Sequence, residues 1–520
     1  MANKGDGDRR KKDSVWTISH SNREEYACPY GDAINLAGNG WYSATLLATL
    51  SSTTFAMVLE MFGLSVVVSG ATCDFDLGLA ETSILLSMPF VGPIVMAFPW
   101  GYISDTYGRR RSLRIALWVS FAVSAISSFS PHWILLAVLK FISTSFCSCA
   151  QSAAYTMLGE CTTENSRDAY ILVMTSVLDF SLTLYVTFAY FIVNLDFVYH
   201  LGFITFTPWR LLNLVLSIPL GLGALGTYFF YESPKFLVNV GRSDEALDIL
   251  KNIWRRNGGR GKYPVSKVYL KEEGNLKSQD LSFLRSLWDQ IIPLFKPPLL
   301  YRSLQLYFLT AVVFSINNSY YIWFPFLAEK FASGFSSTDG NSTVEQVNGL
   351  CSIIVSEHQA AVSGATCSST VDLSLVWSSL AQGASFVVIL LLITKIAYRK
   401  KLLMIIILSI SGFSTLGAVV INDSITSFIM YFGLLFNELC TGFIFSYFVD
   451  LYPTSYRGTA ACVGVMVARA GALGGVNILG AFLMSHCTAT FYGTFALMLS
   501  TVAVSFLLPP DKSLNKTVST

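Results

Sequence analysis

The sequence predicts an all-α membrane protein with twelve transmembrane helices in two six-helix, pseudo-symmetric halves. Hydrophobic residues make up 53% of the 520 residues and charged residues only 13%, about half the share of a soluble domain. Uncharged runs long enough to cross a bilayer recur along the chain, and one loop pattern occurs twice at a constant offset. This composition excludes a disordered chain and argues against a soluble enzyme.

The spans follow from the uncharged runs. Seven uncharged runs are each read as one span, at residues 82–104, 115–139, 141–159, 211–231, 303–328, 373–394 and 402–422. The uncharged stretch 470–510 is too long for one helix and is expected to divide near Ser485 into spans 11 and 12. Three further spans each contain one acid, at 41–68 (Glu60), 170–195 (Asp179) and 425–449 (Glu438). Span 11 also carries Arg469, which completes a total of twelve.

The distribution of Lys and Arg predicts the orientation. Of the 35 basic residues, 31 lie in the N-terminal segment, the loops that lead from even to odd spans, and the C-terminal segment. Basic loops remain on the cytoplasmic side, so both termini are expected there. The sequence does not decide whether the protein lies in the plasma membrane or in a vesicle membrane. A net charge of only +2 gives no indication of a nucleic-acid partner, and a monomer in the lipid bilayer is expected.

Five segments are predicted along the chain. They are a cytoplasmic tail (1–40), the first six-helix half (41–231), a cytoplasmic linker with short helices (232–302), the second half (303–508, with an outer loop at 329–372) and a second tail (509–520). One linker helix is expected after Ser243, with acidic residues in its first turn and Gly258-Gly259 at its end. A linker of this length is expected to let the halves rock against each other.

Four cysteines fall on the predicted outer side, where disulfides persist. They are Cys73, Cys351, Cys367 and Cys487, and they allow three full pairings. The pair Cys351–Cys367 is preferred because both residues lie in one loop. Asn341 begins an Asn-Ser-Thr sequon in the same loop and is the expected glycosylation site.

A charged loop motif follows span 2 and has a weaker copy after span 8. Residues 101–110 read Gly-Tyr-Ile-Ser-Asp-Thr-Tyr-Gly-Arg-Arg, and Lys395 stands where the first copy has Asp105, at an offset of 290 residues. Residues 160–167 begin with Glu and end with Arg, and residues 450–457 begin with Asp and end with Arg at that same offset. Such parallel repeats place a site between two halves near mid-membrane.

These loop residues are expected to form a conformational latch, in which charges pair with one another and with helix ends. Gly101 is expected to permit close helix contact and Gly108 a tight turn. The full set comprises Gly101, Asp105, Gly108, Arg109, Arg110, Glu160, Arg167, Asp450 and Arg457.

The loop motif resembles the G-x-x-x-D-x-x-G-R-R signature of the major facilitator superfamily. Other runs resemble the synaptic vesicle glycoprotein 2 family and its organic-ion transporter relatives, namely Trp209-Arg210, residues 231–237 with 241–246, residues 319–325 and residues 450–460 with 468–471. The resemblance covers about residues 41–508. It implies the superfamily's fold and a transmembrane transporter activity, with the loop motif acting on conformation rather than on the solute.

The chain also departs from this branch. The branch often has Asp three residues before the acid of span 1, and here that position is Met57. Its tenth span often has a Trp and an Asp, and the matching residues of this chain are Thr441 and Phe445. In span 4, Lys140 replaces the Arg of the superfamily. The large outer domain of the vesicle glycoproteins is missing. The relatives' proton-coupling carboxylates and their ligand preferences therefore cannot be assigned to this chain from the resemblance alone.

Ionisable side chains inside a bilayer are costly and usually face the protein interior. Glu60 is the first candidate to bind a proton or cation, and structural pairing is the alternative. Asp179 and Glu438 have two alternative roles, contact with the solute or hydrogen bonding between helices. Arg469 either holds an organic anion or neutralises one of those acids.

Aromatic and basic side chains supply the remaining candidates. Tyr320, Tyr321 and Trp323 in span 7 offer π faces to a cation or a sugar ring, or belong to an interfacial belt. Lys140 is expected near the membrane boundary, where its long side chain reaches the interface.

We expect a secondary active transporter of a small organic solute that works by alternating access. An organic ion is the first choice of solute and a sugar the second, with possible coupling to a proton or cation. The alternative is a transporter-like membrane receptor or vesicle trafficking factor that does not transport. The sequence contains no phosphate-binding loop, zinc spacing or nucleophile–base pattern, so an enzyme, a metal and a cofactor are not expected.

Overall fold

The computed structural model describes residues 26–178, 180–202, 204–270, 291–336, 350–352, 371–394, 399–452, 454–483 and 485–509. Within them the chain forms eighteen α-helices and four short strands, which confirms the predicted all-α class. Asp179, Asn341 and Cys367 lie outside the described residues. The predictions that concern these three side chains stay predictions.

The described residues begin with a short unit ahead of the first span, and six membrane-spanning segments follow. Strand β1 (Ala27–Pro29) and helix α1 (Tyr30–Ala37) come first. Spans 1 to 6 are then α2 (Trp41–Phe62) with α3 (Leu64–Phe75), α4 (Leu79–Tyr107), α5 (Arg109–Ser127), α6 (Trp133–Cys161), α7 (Glu164–Leu178) with α8 (Ser181–Val193), and α9 (Pro208–Gly226). Strands β2 (Tyr199–His200) and β3 (Thr205–Phe206) pair in the loop before α9.

The predicted boundary between spans 3 and 4 is wrong. It was placed at Lys140, but α5 ends at Ser127 and α6 begins at Trp133, so Lys140 lies inside span 4. A residue of span 6 stabilises the turn between the two helices: Arg210 Nη1 donates to the carbonyls of Ser128 and Ser130 at 3.0 and 2.7 Å. A charge therefore does not mark a helix end here.

Six further columns form the second half. Spans 7 to 12 are α12 (Leu300–Ser336), α13 (Leu373–Thr394), α14 (Lys400–Val420), α15 (Ser424–Leu435) with α16 (Leu439–Leu451), α17 (Thr454–Phe482) and α18 (Cys487–Phe506). Span 10 is interrupted by one 3₁₀ turn, Phe436–Glu438, which contains the predicted acid. The expected division near Ser485 is confirmed, since α17 ends before it and α18 begins after it.

Eight of the columns qualify as membrane spans on length and hydropathy alone, among the residues described. The other four are spans 3, 5, 7 and 8. Span 3 opens with three arginines, and span 5 is divided into two shorter helices. Span 7 carries Asn317 and Asn318 at its centre, and only residues 373–389 of span 8 register as a shorter apolar helix. Polar residues inside a helical bundle lower the mean hydropathy of a helix without shortening it.

The linker and the N-terminal segment fold together on the predicted cytoplasmic side. The linker contains α10 (Pro234–Asn239), the predicted helix as α11 (Ser243–Arg256), and β4 (Lys267–Tyr269), which pairs in parallel with β1. Asn257 Nδ2 donates to the Gly38 carbonyl at 2.7 Å, and Tyr263 donates to the Ala33 carbonyl at 2.5 Å. The segment 27–37, expected as part of a tail, is thus structured because linker residues satisfy its backbone.

The two halves meet at the end of the bundle that the charges predict to be outside. Asn477 Nδ2 of span 11 donates to Ser87 Oγ of span 2 at 2.7 Å. The rings of Phe62 and Tyr321 lie 5.0 Å apart, edge to face. Asn194 of span 5 exchanges two hydrogen bonds with the backbone of Val371, at 2.8 and 3.0 Å. These contacts close the outer end of the interface between the halves.

The expected disulfide is wrong. Cys351 bonds to Cys487 at the start of α18, with a Cα–Cα distance of 5.6 Å, rather than to Cys367. Cys73 is also disulfide-bonded. Proximity in sequence favoured a bond within one loop, but Cys351 lies against the start of span 12 at Cys487, and this spatial contact decides the pairing. The bond ties the outer loop to the last span.

Candidate functional site

Glu60 and Lys140 form an ion pair in the interior of the first half. Lys140 Nζ lies 2.9 Å from Glu60 Oε1, and the two side chains are 2% and 0% exposed. Ser143 donates to Glu60 Oε1 at 2.8 Å and Ser124 to Glu60 Oε2 at 2.7 Å. Lys140 Nζ also donates to Ser124 Oγ at 3.1 Å. Helices of spans 1, 3 and 4 thus supply one closed polar cluster.

This cluster corrects the expectation for Lys140. The side chain does not reach toward the interface, because a carboxylate and a serine hydroxyl satisfy its ammonium group within the bundle. Charges buried in this way persist when they are paired and hydrogen-bonded. In the conformation described, Glu60 offers no free oxygen to an organic cation, so any role in ion binding requires the pair to open.

Arg469 lies at the interface of the halves and has a neutral partner. Its residue is 6% exposed, and its Nη2 donates to Gln151 Oε1 of span 4 at 2.8 Å. None of the ion pairs found among the described residues includes Arg469. The expected neutralisation by Glu438 is therefore not observed, and Asp179 lies outside the description. Within the described structure, this guanidinium thus uses one of its five N–H donors and leaves four for another group.

Glu438 belongs to the connection between spans 7 and 10. It ends the 3₁₀ turn of span 10, and the Asn317 side chain of span 7 is a polar neighbour. The adjacent Asn437 Nδ2 donates to the Val313 carbonyl at 3.0 Å. No ion pair of Glu438 occurs within the described part of the chain. Among the described residues, the acid thus lies where span 10 packs against span 7 of the same half.

The three aromatic candidates of span 7 point to different places. The Tyr320 hydroxyl is 2.9 Å from Thr494 Oγ1, and Tyr431 donates to its carbonyl at 2.6 Å, so Tyr320 lies inside the second half. Tyr321 contacts Phe62 across the interface. Trp323 lies beside Gly480 of span 11, and its buried Nε1 has no hydrogen-bond partner in the described structure. Tyr321 and Trp323 therefore lie on the outer side of the interface.

The predicted latch residues form a charge cluster around Arg109. Arg109 Nη2 lies 2.9 Å from Asp105, and its Nε lies 3.3 Å from Glu160. Its guanidinium group also covers the ring of Phe236 at 5.0 Å, and Ser233 donates to the Glu160 carboxylate. The cluster therefore joins the loop after span 2, the end of span 4 and the start of the linker.

Gly108 and Arg110 contact a linker acid that sequence reasoning left out of the latch. Gly108 has a φ of +101°, and a Cβ there would lie 2.6 Å from Glu232 Oε2. The Arg110 backbone N–H donates to Glu232 Oε1 at 2.9 Å. Arg110 also donates through Nε to the Thr227 carbonyl at 2.9 Å. Gly108 thus turns with a positive φ, and the Glu232 carboxylate lies where a side chain would be; its part in a latch stays a prediction.

Other latch expectations are corrected or untested. Gly101 makes no close helix contact with the described residues, since none of their heavy atoms lies within 4 Å of the position that its Cβ would take. Arg167 does not pair with Glu160, which contacts Arg109 instead, and its buried Nε has no hydrogen-bond partner among the described residues. The side chains of Asp450 and Arg457 lie outside the description.

Three polar residues of the site had no signal in the sequence. Ser124, Ser143 and Gln151 are uncharged residues within apolar spans, and they complete the cluster around Glu60 or bind Arg469. Ser143 follows Lys140 by three positions and therefore shares its helix face. Ser124 and Gln151 meet their partners only through tertiary structure.

Comparison with known proteins supports the observed arrangement. The sequence profile of the Major Facilitator Superfamily matches residues 44–476. Synaptic vesicle 2-related protein of Bos taurus is 26% identical over 449 residues, which cover 85% of this chain and 73% of that protein. Organic cation/carnitine transporter 7 of Arabidopsis thaliana is 28% identical over 226 residues, 44% of this chain and 43% of that protein. The resemblance to this branch is confirmed.

Solved structures show the same fold. The inward open conformation of the xylose transporter XylE from E. coli has a TM-score of 0.60 and 14% identity, and covers 92% of this chain and 99% of that chain. The crystal structure of a D-xylose-proton symporter has a TM-score of 0.57 and 14% identity, over 91% and 98% of the two chains. These similarities confirm twelve helices in two six-helix halves.

Proposed function

We propose that this chain, which belongs to the Major Facilitator Superfamily, is a secondary active transporter that moves a small organic anion by alternating access. The observation that carries the proposal is Arg469, a buried cation at the interface of the halves whose described partner is the neutral Gln151. An unpaired buried charge is unfavourable, and a guanidinium binds carboxylate or phosphate through two parallel hydrogen bonds. A solute anion would supply the missing charge.

The position of Arg469 links solute binding to movement of the halves. Span 4 belongs to the first half and span 11 to the second, so the bond from Arg469 to Gln151 crosses between them. An anion that binds Arg469 competes with the Gln151 oxygen for the same donors. Binding therefore changes one contact that holds the two halves together near mid-membrane, as alternating access requires.

The proposal assigns coupling to the ion pair of Glu60 and Lys140. Protonation of Glu60 would remove its charge and weaken the bond to Lys140, whereas the serines would still bond to the neutral acid. The ionic contact between spans 1 and 4 would then be lost, and only neutral hydrogen bonds would join spans 3 and 4 to span 1 at this level. Proton binding at this cluster is thus the mechanism by which a pH gradient would drive the solute.

Reconstituted protein tests the proposal. Liposomes that contain the protein are offered labelled carboxylates, organic cations and sugars, with and without a pH gradient. We expect uptake of carboxylates, at least tenfold slower in Arg469→Gln and partly retained in Arg469→Lys. Arg260→Gln removes an exposed linker arginine as the matched control and should transport normally. Uptake of cations or sugars alone would refute an anion site, and no flux with any class would favour a receptor that does not transport.

A further inference from the structure

Span 8 presents one buried face to the rest of the molecule. Leu375, Ser379, Gln382 and Phe386 recur at intervals of three and four residues and are all buried. Residues on the other faces are exposed, with Trp377 at 63%. This spacing is that of one helix face. Gln382 is the one long polar side chain on it, and it is only 2% exposed.

The neighbours of this face place Gln382 at the interface of the two halves. One turn to the outer side, the Ser379 carbonyl accepts a hydrogen bond from Thr183 of span 5 at 3.0 Å. One turn to the inner side, the Phe386 ring lies 5.3 Å from that of Phe436 in span 10. Gln382 lies between these levels on the same face. It therefore faces the region where span 5 of the first half approaches span 10 of the second.

The Gln382 amide lacks any partner in the described structure. Neither its oxygen nor its nitrogen has a hydrogen bond, although both atoms are inaccessible. Asn317 on the neighbouring span 7 likewise has an amide oxygen without a partner. Nearly all buried polar groups in proteins are satisfied, so each exception needs an explanation. The Gln382 amide and the Asn317 oxygen are therefore candidates for hydrogen bonds to a solute in a conformation in which the halves move apart and expose them.

A purely structural role would leave a different pattern. Polar side chains that join membrane helices do so by hydrogen bonds between them. Spans 5 and 8 already have such a bond, but the Thr183 hydroxyl and the Ser379 backbone make it. Ser385 Oγ also donates to the backbone carbonyl of Gln382 at 2.7 Å, without involving its side chain. The Gln382 amide joins no pair of helices.

We propose that Gln382 determines specificity by binding an uncharged hydrogen-bonding group of the transported anion, a hydroxyl or a carboxamide. The inference rests on the proposed function, since Arg469 holds the charged end of the same solute. A glutamine amide offers both a donor and an acceptor, which match the two roles of a hydroxyl group and pair in parallel with a second amide. The solute class is thus a hydroxylated or amide-bearing organic acid.

Thermal unfolding of the solute-free protein tests the inference without any transport. Gln305 is the matched control, because it is also buried (7% exposed, against 2% for Gln382) but its Nε2 donates to the Val504 carbonyl at 3.0 Å. We expect Gln305→Leu to lower the melting temperature, and Gln382→Leu to leave it unchanged or to raise it. An equal loss in both variants would show that Gln382 has a structural partner and would overturn the proposal.

Uptake of a matched pair of probes gives the second readout. Labelled phenylacetate and 4-hydroxyphenylacetate differ by one hydroxyl group, and the wild-type protein is expected to favour the second. Gln382→Leu should reduce that preference by roughly 3- to 10-fold while it still transports phenylacetate, whereas Arg469→Gln should slow both. A preference unchanged in Gln382→Leu would overturn the inference alone. Wild-type failure to transport either acid would count against the anion transporter, and the unfolding comparison would still decide the role of Gln382.

Discussion

Lys140 Nζ lies 2.9 Å from the Glu60 carboxylate in a part of the bundle where neither side chain is exposed by more than 2%. Span 4 contributes the cation and span 1 the acid, 80 residues apart in sequence. Two serine hydroxyls complete the acid's hydrogen bonds. The stability of the first half therefore depends on a pair whose members were expected in different surroundings.

Removing one member of this pair should destabilise the protein more than removing both. Lys140→Met leaves Glu60 buried without its cation, and losses of this kind are about 3–5 kcal/mol. The double variant Glu60→Leu/Lys140→Met buries no charge and should recover most of that loss. Thermal unfolding in detergent measures both variants. Equal destabilisation in the single and double variants would contradict a paired arrangement.

The same pair predicts a transport phenotype. Glu60→Gln keeps the hydrogen bonds to the serines but cannot exchange a proton. We expect it to lose accumulation of the solute against its gradient when a pH gradient is applied, while exchange of solute across the membrane continues. Ser124→Ala removes the hydrogen bonds of this hydroxyl to Glu60 and Lys140 but leaves the titrating group, so accumulation should persist. Undiminished accumulation in Glu60→Gln would exclude this acid as the coupling group.

The sequence alone predicted the fold better than the pairing of its polar groups. Uncharged runs and the basic loops depend on local composition, and they correctly gave twelve helices in two halves. The rule that a charge ends a span failed at Lys140, because its partner lies far away in the sequence. The disulfide failed for the same reason, since Cys351 and Cys487 are separated by 136 residues. Ordering of residues 27–37 likewise depends on the distant strand β4.

Gly108 and Gly101 of the loop motif should respond differently to alanine. At Gly108 the φ of +101° disfavours any side chain, and a Cβ would lie 2.6 Å from Glu232 Oε2. Gly108→Ala should therefore cost about 1–3 kcal/mol of stability and weaken the Arg110–Glu232 contact. Gly101→Ala is the control and should be tolerated, because no described residue lies within 4 Å of its Cβ. Thermal unfolding separates them, and equal melting temperatures would refute the strained turn.

Tyr30 should hold the N-terminal segment to the first half. Its hydroxyl donates to the Glu160 carbonyl, at the residue that also contacts Arg109. Tyr30→Phe removes this bond and should accelerate limited proteolysis within residues 26–38. Tyr26→Phe is the matched control, because Tyr26 is 42% exposed and its hydroxyl has no such bond. Identical cleavage rates in the wild type and both variants would show that the segment is held by other contacts.

The attachment of Tyr30 should also depend on pH. Burial is the main cause that raises the pKa of its hydroxyl well above the ordinary value of 10.0. A group with a raised folded pKa contributes stability that is complete below its unfolded pKa and is lost as pH rises toward the folded value. Protection of residues 26–38 should therefore fall above about pH 10 in the wild type. Tyr30→Phe should show a smaller fall over that range, because its ring cannot ionise. A fall of equal size in both proteins would show that other groups control the attachment.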